Sequence, residues 1–346
     1  MSAPGYAGLL AAPAGDRRDL FLATAQRLGT PIGNVEKDFW VCWTLDVLYH
    51  DLPACGPRLL FKGGTALSKA HGIIRRFSED IDITVFRDDL AVPATVETME
   101  ALSGRQRRAR LDAIRDACRM YIQQSLRAAL AARVAEATRG AGRVDIDTDD
   151  ADGQTLLVAY PTLDGDGDAY VRPVVRIEAG AKSALDPHSL VTLRPYVADE
   201  VPEIDLTVHG VMTIDAVRTM WDKLVITHGL RRWYERRGVL RQEGQRVSRH
   251  YYDLHCLLQS AHGRAALADR ALGADCVRHA RMFFDRPDYD LASAVPGTFV
   301  VTPVDGMLDA LVRDYAAMRA MIFGTPPTFD AVLDSVRTID ALVNGR

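Results

Sequence analysis

The chain has 346 residues, 48% hydrophobic and 25% charged, with a net charge of −4. That length accommodates two ordinary domains with packed cores, and the acidic balance excludes a general polycation, so nucleic-acid contact would have to come from local basic faces. The five scattered cysteines include no CxxC pair, which fits reduced thiols in a cytoplasmic protein, and no apolar run reaches the roughly 18 residues that cross a membrane.

Residues 1–15 lack a basic stretch ahead of an apolar core and read as a flexible tail. Helical spacing begins at Asp16 and stops at Gly29. A second helix is expected over Pro31–Tyr49, with Phe39, Trp40, Trp43, Val47 and Leu48 as its apolar stripe. Arg58–Lys62 reads as a strand, Thr65–Ala70 as the opening of a helix, and Ile81–Phe86 as a second strand. A long helical pattern covers 105–139, and the acidic stretch Asp145–Gly153 reads as a loop. Thr155–Tyr160 and Tyr170–Glu178 read as a hairpin turned at Asp164–Asp168. One more extended piece spans about 203–211. Helical periodicity follows at 214–238, 247–262, 265–284, 305–323 and 328–343, with a loop at 285–304. The expected layout is a nucleotide-handling domain over 16–210 and a helical domain over 211–346.

The chemistry concentrates between Lys62 and Asp82. Alternate strand residues share a face, so Asp80 and Asp82 present two carboxylates together while Ile81 and Ile83 enter a core. Paired carboxylates repel, and a divalent cation, Mg²⁺ or Mn²⁺, relieves that cost. The Gly63-Gly64-Thr65 turn lets backbone N–H groups approach phosphate oxygens, with Lys62 and Lys69 as flanking cations. Glu178, at the end of the Val174–Glu178 strand, is the candidate third metal ligand. Together these predict a triphosphate and metal site for nucleotidyl transfer from an NTP.

Other motifs fail on spacing. Gly63–Lys69 is not a Walker A loop, because no Gly precedes Lys69 and Ala70 stands where Ser or Thr is needed. Asp145-x-Asp147-x-Asp149 and Asp164-x-Asp166-x-Asp168 lack the glycine and the closing glutamate of a calcium loop.

Lys62-Gly-Gly-Thr-Ala-Leu-Ser-Lys69 followed by Arg76-Phe-Ser-Glu-Asp-Ile-Asp82 resembles the AbiEii/AbiGii toxins, nucleotidyltransferase-like proteins of the DNA polymerase beta superfamily. Val35–Trp40, Trp221-Asp-Lys-Leu224 and Arg249-His-Tyr-Tyr-Asp-Leu254 continue the likeness. Where the family often carries a basic-acidic pair, this chain has His250-Tyr251. The resemblance implies an α/β (α+β) nucleotidyltransferase fold with a mixed sheet, followed by an α-helical C-terminal domain. It implies that Gly63, Gly64 and Thr65 hold the triphosphate and that Asp80 and Asp82 bind metal. It further implies that Lys223 contacts phosphate and that Asp253 orients Lys223 or completes the nucleotide pocket. The implied activity is that of a toxin modifying RNA, with tRNA 3′ ends as acceptors, and the implied partner is a cognate antitoxin, as in abortive infection.

Residues 105–139 hold nine Arg against Asp112, Asp116 and Glu136, and residues 218–249 hold nine Arg and Lys against Asp222, Glu235 and Glu243. Arginine interleaved with aromatics at 231–237 suits phosphate contact and stacking on an exposed nucleotide. An RNA acceptor is therefore the first expectation. Transfer to a protein hydroxyl is the second, and a non-catalytic nucleotide- or antitoxin-binding module the third.

Overall fold

The computed structural model describes residues 4–53, 55–163, 172–241 and 246–346. In chain order it begins with α1 (Pro4–Ala11), α2 (Ala14–Leu28) and α3 (Ile32–Asp46). Strand β1 (Leu59–Lys62), the short turn α4 (Gly63–Thr65) and β2 (Asp80–Val85) follow. Next come α5 (Val96–Glu100), α6 (Gly104–Met120) and α7 (Arg127–Ala137). The remaining strands are β3 (Arg143–Ile146), β4 (Thr155–Ala159), β5 (Val174–Gly180), β6 (His188–Leu193) and β7 (Val208–Ile214). Helices α8 (Ala216–Arg237), α9 (Ser248–Gln259), α10 (Ala261–Ala268), α11 (Arg270–Phe283), α12 (Asp305–Met318) and α13 (Phe329–Val343) complete the chain.

Two compact units emerge. The first comprises residues 1–70, 77–94 and 108–214, and the second 71–76, 95–107 and 215–346. Both short insertions have physical anchors in the second unit. Arg278 on α11 holds Glu100 at 2.8 Å and Glu97 at 3.3 Å. Segment 71–76 pairs with the strand-like stretch at Ile322, where Phe323 N–H donates to the Arg75 carbonyl at 2.7 Å.

In the first unit, the seven strands among the described residues form one mixed sheet ordered β3-β4-β5-β2-β1-β7-β6. Strand β2 lies at its centre, antiparallel to β1 and parallel to β5. Strict alternation buries Ile81 and Ile83 completely and leaves Asp80 and Asp82 on the opposite face. Helix α3 is buried along most of its length. It was legible as helix because Phe39, Trp40 and Trp43 recur on helical spacing, but burial extends well beyond that stripe. Helix α2 stops where Gly29 takes a left-handed conformation (φ 63°) and its N–H caps the last turn.

Three expectations are corrected. The predicted tail contains α1, in which Tyr6 and Leu9 are buried and the Tyr6 hydroxyl donates to the Leu206 carbonyl at 3.1 Å. This segment carries no charge, so it can pack despite its small residues. The acidic loop begins with β3, because Val144 and Ile146 alternate with Arg143 and Asp145 and pair with β4. Strand β6 was missed altogether; as an edge strand with Ser189, Leu190 and Thr192 exposed, it shows no inward apolar stripe. The predicted turn at Asp164–Asp168 lies outside the described residues.

Candidate active site

Register places the carboxylates. Asp82 on β2 is flanked by Lys62 on β1 and by Glu178 on β5, and Asp80 stands beside Arg176. Burial pushes the Asp80 carboxyl up to about 6, reinforced by Glu79, Glu178 and Asp82 against the pull of Lys37. The Lys62 ammonium lies 3.8 Å from Asp82 Oδ1. Glu178 adjoins the pair as expected, but its carboxylate is 3.4 Å from the Arg176 guanidinium. Among the described residues, no three acidic, histidine or cysteine side chains converge into a ready-made metal cage. Asp80 and Asp82 nevertheless fit a hard divalent cation, because two neighbouring carboxylates that repel each other are what such an ion neutralises.

Gly63 sits against this pair. Its φ is +78°, and an added Cβ would lie 1.9 Å from Asp82 Oδ2. Thr65 is fully buried, and its hydroxyl reaches Ser78 Oγ at 2.8 Å and also the Asp80 carbonyl. Its side chain therefore ties the turn to the entry of β2.

Lys69 is engaged inside the fold. Its ammonium is buried 2.7 Å from Asp38 Oδ1 and 3.6 Å from the centre of the Tyr196 ring. An ion pair and a ring face already surround it.

Sequence reasoning missed why Glu36, Lys37 and Asp38 interrupt an apolar helix. All three are buried and each ties α3 to a different segment. Glu36 accepts from Thr162 and from Leu163 N–H, both at 2.8 Å. Lys37 holds Glu79 at 2.6 Å, one residue from Asp80. Asp38 takes Lys69 and the Tyr196 N–H, the latter at 2.7 Å. Charges inside an apolar stripe were the available signal.

In the second unit, α8 presents Lys223 and α9 presents Asp253, and Lys223 Nζ lies 2.7 Å from Asp253 Oδ2. Arg76, part of the motif but given no role by sequence, makes a two-pronged contact with the same carboxylate at 2.9 and 3.0 Å. Burial alone would raise the Asp253 carboxyl, but Arg76 and Lys223 outweigh it and hold it well below the usual range. Burial, together with Arg76 and Arg249, pushes the Lys223 ammonium down against the pull of Asp253. His250 is held well below its ordinary value by burial, Lys223 and Arg249, so it stays neutral beside them.

The sequence model for the family described as nucleotidyl transferase AbiEii toxin, Type IV TA system, matches residues 46–335. The chain belongs to the AbiEii family. MenT4, a nucleotidyltransferase toxin from Mycobacterium tuberculosis H37Rv, is similar in structure, with a TM-score of 0.51 at 16% identity over 95% of this chain and 90% of that one. At that identity the likeness speaks for the fold: an α/β nucleotidyltransferase fold. No curated protein matches the chain in sequence.

In this AbiEii member the basic segments are less open than their sequence implies. Arg231 and Arg232 both hold Glu235 at 2.9 Å, and Arg237 holds Asp288 at 2.6 Å. Trp233 packs edge-on to Tyr289, Arg241 lies over both rings, and the Tyr234 hydroxyl donates to the Gly306 carbonyl at 2.8 Å. The 231–237 stretch thus braces the 285–306 connection within its own unit. Arg105, Arg108, Arg127 and Arg139 remain exposed. No helix among the described residues is long and apolar enough to cross a membrane.

Proposed function

We propose that this AbiEii toxin transfers a nucleotide from an NTP to the 3′ end of an RNA, with tRNA as the acceptor, and so blocks translation. The carrying observation is the Asp80–Asp82 pair on the central strand: burial, with Glu79, Glu178 and Asp82 nearby, raises the Asp80 carboxyl to about 6, and the missing side chain of Gly63 lets the Asp82 carboxylate lie against the turn. In the reaction, an acceptor hydroxyl forms a bond to the α-phosphorus, the α–β phosphoanhydride bond breaks, pyrophosphate leaves, and the hydroxyl proton passes to solvent.

Asp80 and Asp82, with Glu178 as a third donor once it turns from Arg176, would hold Mg²⁺ or Mn²⁺. Such an ion supplies charge neutralisation at the phosphates and lowers the pKa of an attacking hydroxyl. The chain's own groups do the rest. The 63–65 turn offers backbone N–H groups to the triphosphate, and Lys62 adds a cation. Lys223, held by Asp253, offsets negative charge that builds on the phosphates. The exposed arginines of 105–139 supply phosphate contacts for the RNA.

A specific observation favours a second reading. The arginines at 231–237 are engaged internally, which removes one argument for RNA and keeps a protein hydroxyl, on a target or on a cognate antitoxin, as an alternative acceptor. Incubation with each α-labelled NTP, total RNA and cell protein separates the readings. Label in tRNA supports the first, and label confined to protein overturns it in favour of the second.

A further inference from the structure

Asp253 is fully buried, yet it faces two cations at once. Its Oδ1 takes Arg76 Nε at 2.9 Å, while Oδ2 is shared between Arg76 Nη2 at 3.0 Å and Lys223 Nζ at 2.7 Å. A lone Lys–Asp pair would be neutral, each charge cancelling the other. Here the planar guanidinium fork takes both carboxylate oxygens and most of the anion's capacity. Lys223 is fixed in direction by Oδ2 but left with positive charge that the carboxylate does not cancel. Arg249 and the neutral His250 also face Lys223 and return no negative charge.

Arg76 is itself held by backbone. It bridges to Ile322, and the preceding carbonyl of Arg75 accepts from Phe323 N–H at 2.7 Å. In sequence it lies between the glycine turn at 63–65 and the carboxylate strand at 80–85.

We infer that Arg76 is a positioning residue for nucleotidyl transfer: by occupying both oxygens of Asp253, it aims Lys223 while leaving its charge available to an anionic phosphate. This rests on the transfer reading above. Arg76 touches no substrate in the proposal; it acts through Asp253 and Lys223.

The test compares the full-length wild type with Arg76→Met, Arg76→Lys, the double variant Arg76→Met/Asp253→Asn, and Lys223→Ala. Transfer from α-labelled NTP is measured with the acceptor the wild type uses, alongside thermal unfolding. Misplacing a group that acts on the reacting atoms can cost about 100-fold, so Arg76→Met is expected to lose about that factor in kcat with little change in KM for NTP. Arg76→Lys, which keeps the charge without the fork, should recover part of the rate. It also serves as the informative variant if Arg76→Met does not fold. The double variant, which leaves the buried Lys223 without a facing carboxylate, should regain neither stability nor kcat. Wild-type kcat in folded Arg76→Met, or full recovery of kcat in the double variant, overturns the inference and leaves Arg76 a counter-ion. Unimpaired transfer by Lys223→Ala overturns the underlying reading instead, and so tells the two failures apart.

Discussion

Gly63 and Asp82 occupy space that only a glycine leaves free: a Cβ at 63 would fall 1.9 Å from Asp82 Oδ2, and the backbone there has a φ of +78°. Strand β1 ends one residue earlier, beside Asp82 across the ladder. The turn must therefore reverse tightly against the carboxylate that the proposal assigns to metal. Gly63→Ala is expected to displace Asp82 and to add left-handed strain of about 1–2 kcal/mol. Circular dichroism should show a folded protein, and transfer assays should show a loss of at least roughly tenfold.

Metal dependence follows from the carboxylate pair. Exhaustive chelation should stop transfer, and Mg²⁺ or Mn²⁺ should restore it. In metal-free protein, Asp80→Asn removes one of the repelling charges and should raise the melting temperature while transfer is lost. An unchanged or lowered melting temperature would argue that Lys37 already balances the pair.

The Asp38–Lys69 pair is a structural element despite its place in the glycine motif. Removing one partner of a buried ion pair costs about 3–5 kcal/mol. Lys69→Met should show that loss in urea unfolding, while KM for NTP in the folded fraction stays near the wild-type value. A large rise in KM without a loss of stability would return Lys69 to the nucleotide.

Acid should weaken the second unit through Asp253. Its carboxyl is held below the unfolded-state value, so its contribution is complete above about pH 4 and fades as pH falls towards the folded value. Asp253→Asn should therefore cost about 3–5 kcal/mol at pH 7. The gap between wild type and variant should narrow below pH 4, as read by unfolding at stepped pH.

Much of this was legible in the sequence, for identifiable reasons. Asp80 and Asp82 could be placed because a period of two separates them from Ile81 and Ile83, and Glu178 because its strand is apolar enough to be central. Lys223 and Asp253 were legible only through family likeness, since a single Lys or Asp on a helix carries no local signal. The uses of Arg76, Lys37 and Lys69 were not legible. Each meets a partner at least 30 residues away in sequence, and no local pattern encodes such pairing. The arginines of 231–237 misled only in part for the same reason: Arg237 meets Asp288 in a connection that reads as an unremarkable loop, whereas Arg231 and Arg232 hold Glu235 on their own helix.

The central claim is that the Asp80–Asp82 pair carries out nucleotidyl transfer. Its most direct test is incubation of wild type and Asp80→Ala with α-labelled NTPs, Mg²⁺ and total RNA, with folding of the variant confirmed by circular dichroism. The account predicts label covalently joined to tRNA by the wild type and none by the folded variant. Equal labelling by Asp80→Ala would contradict it.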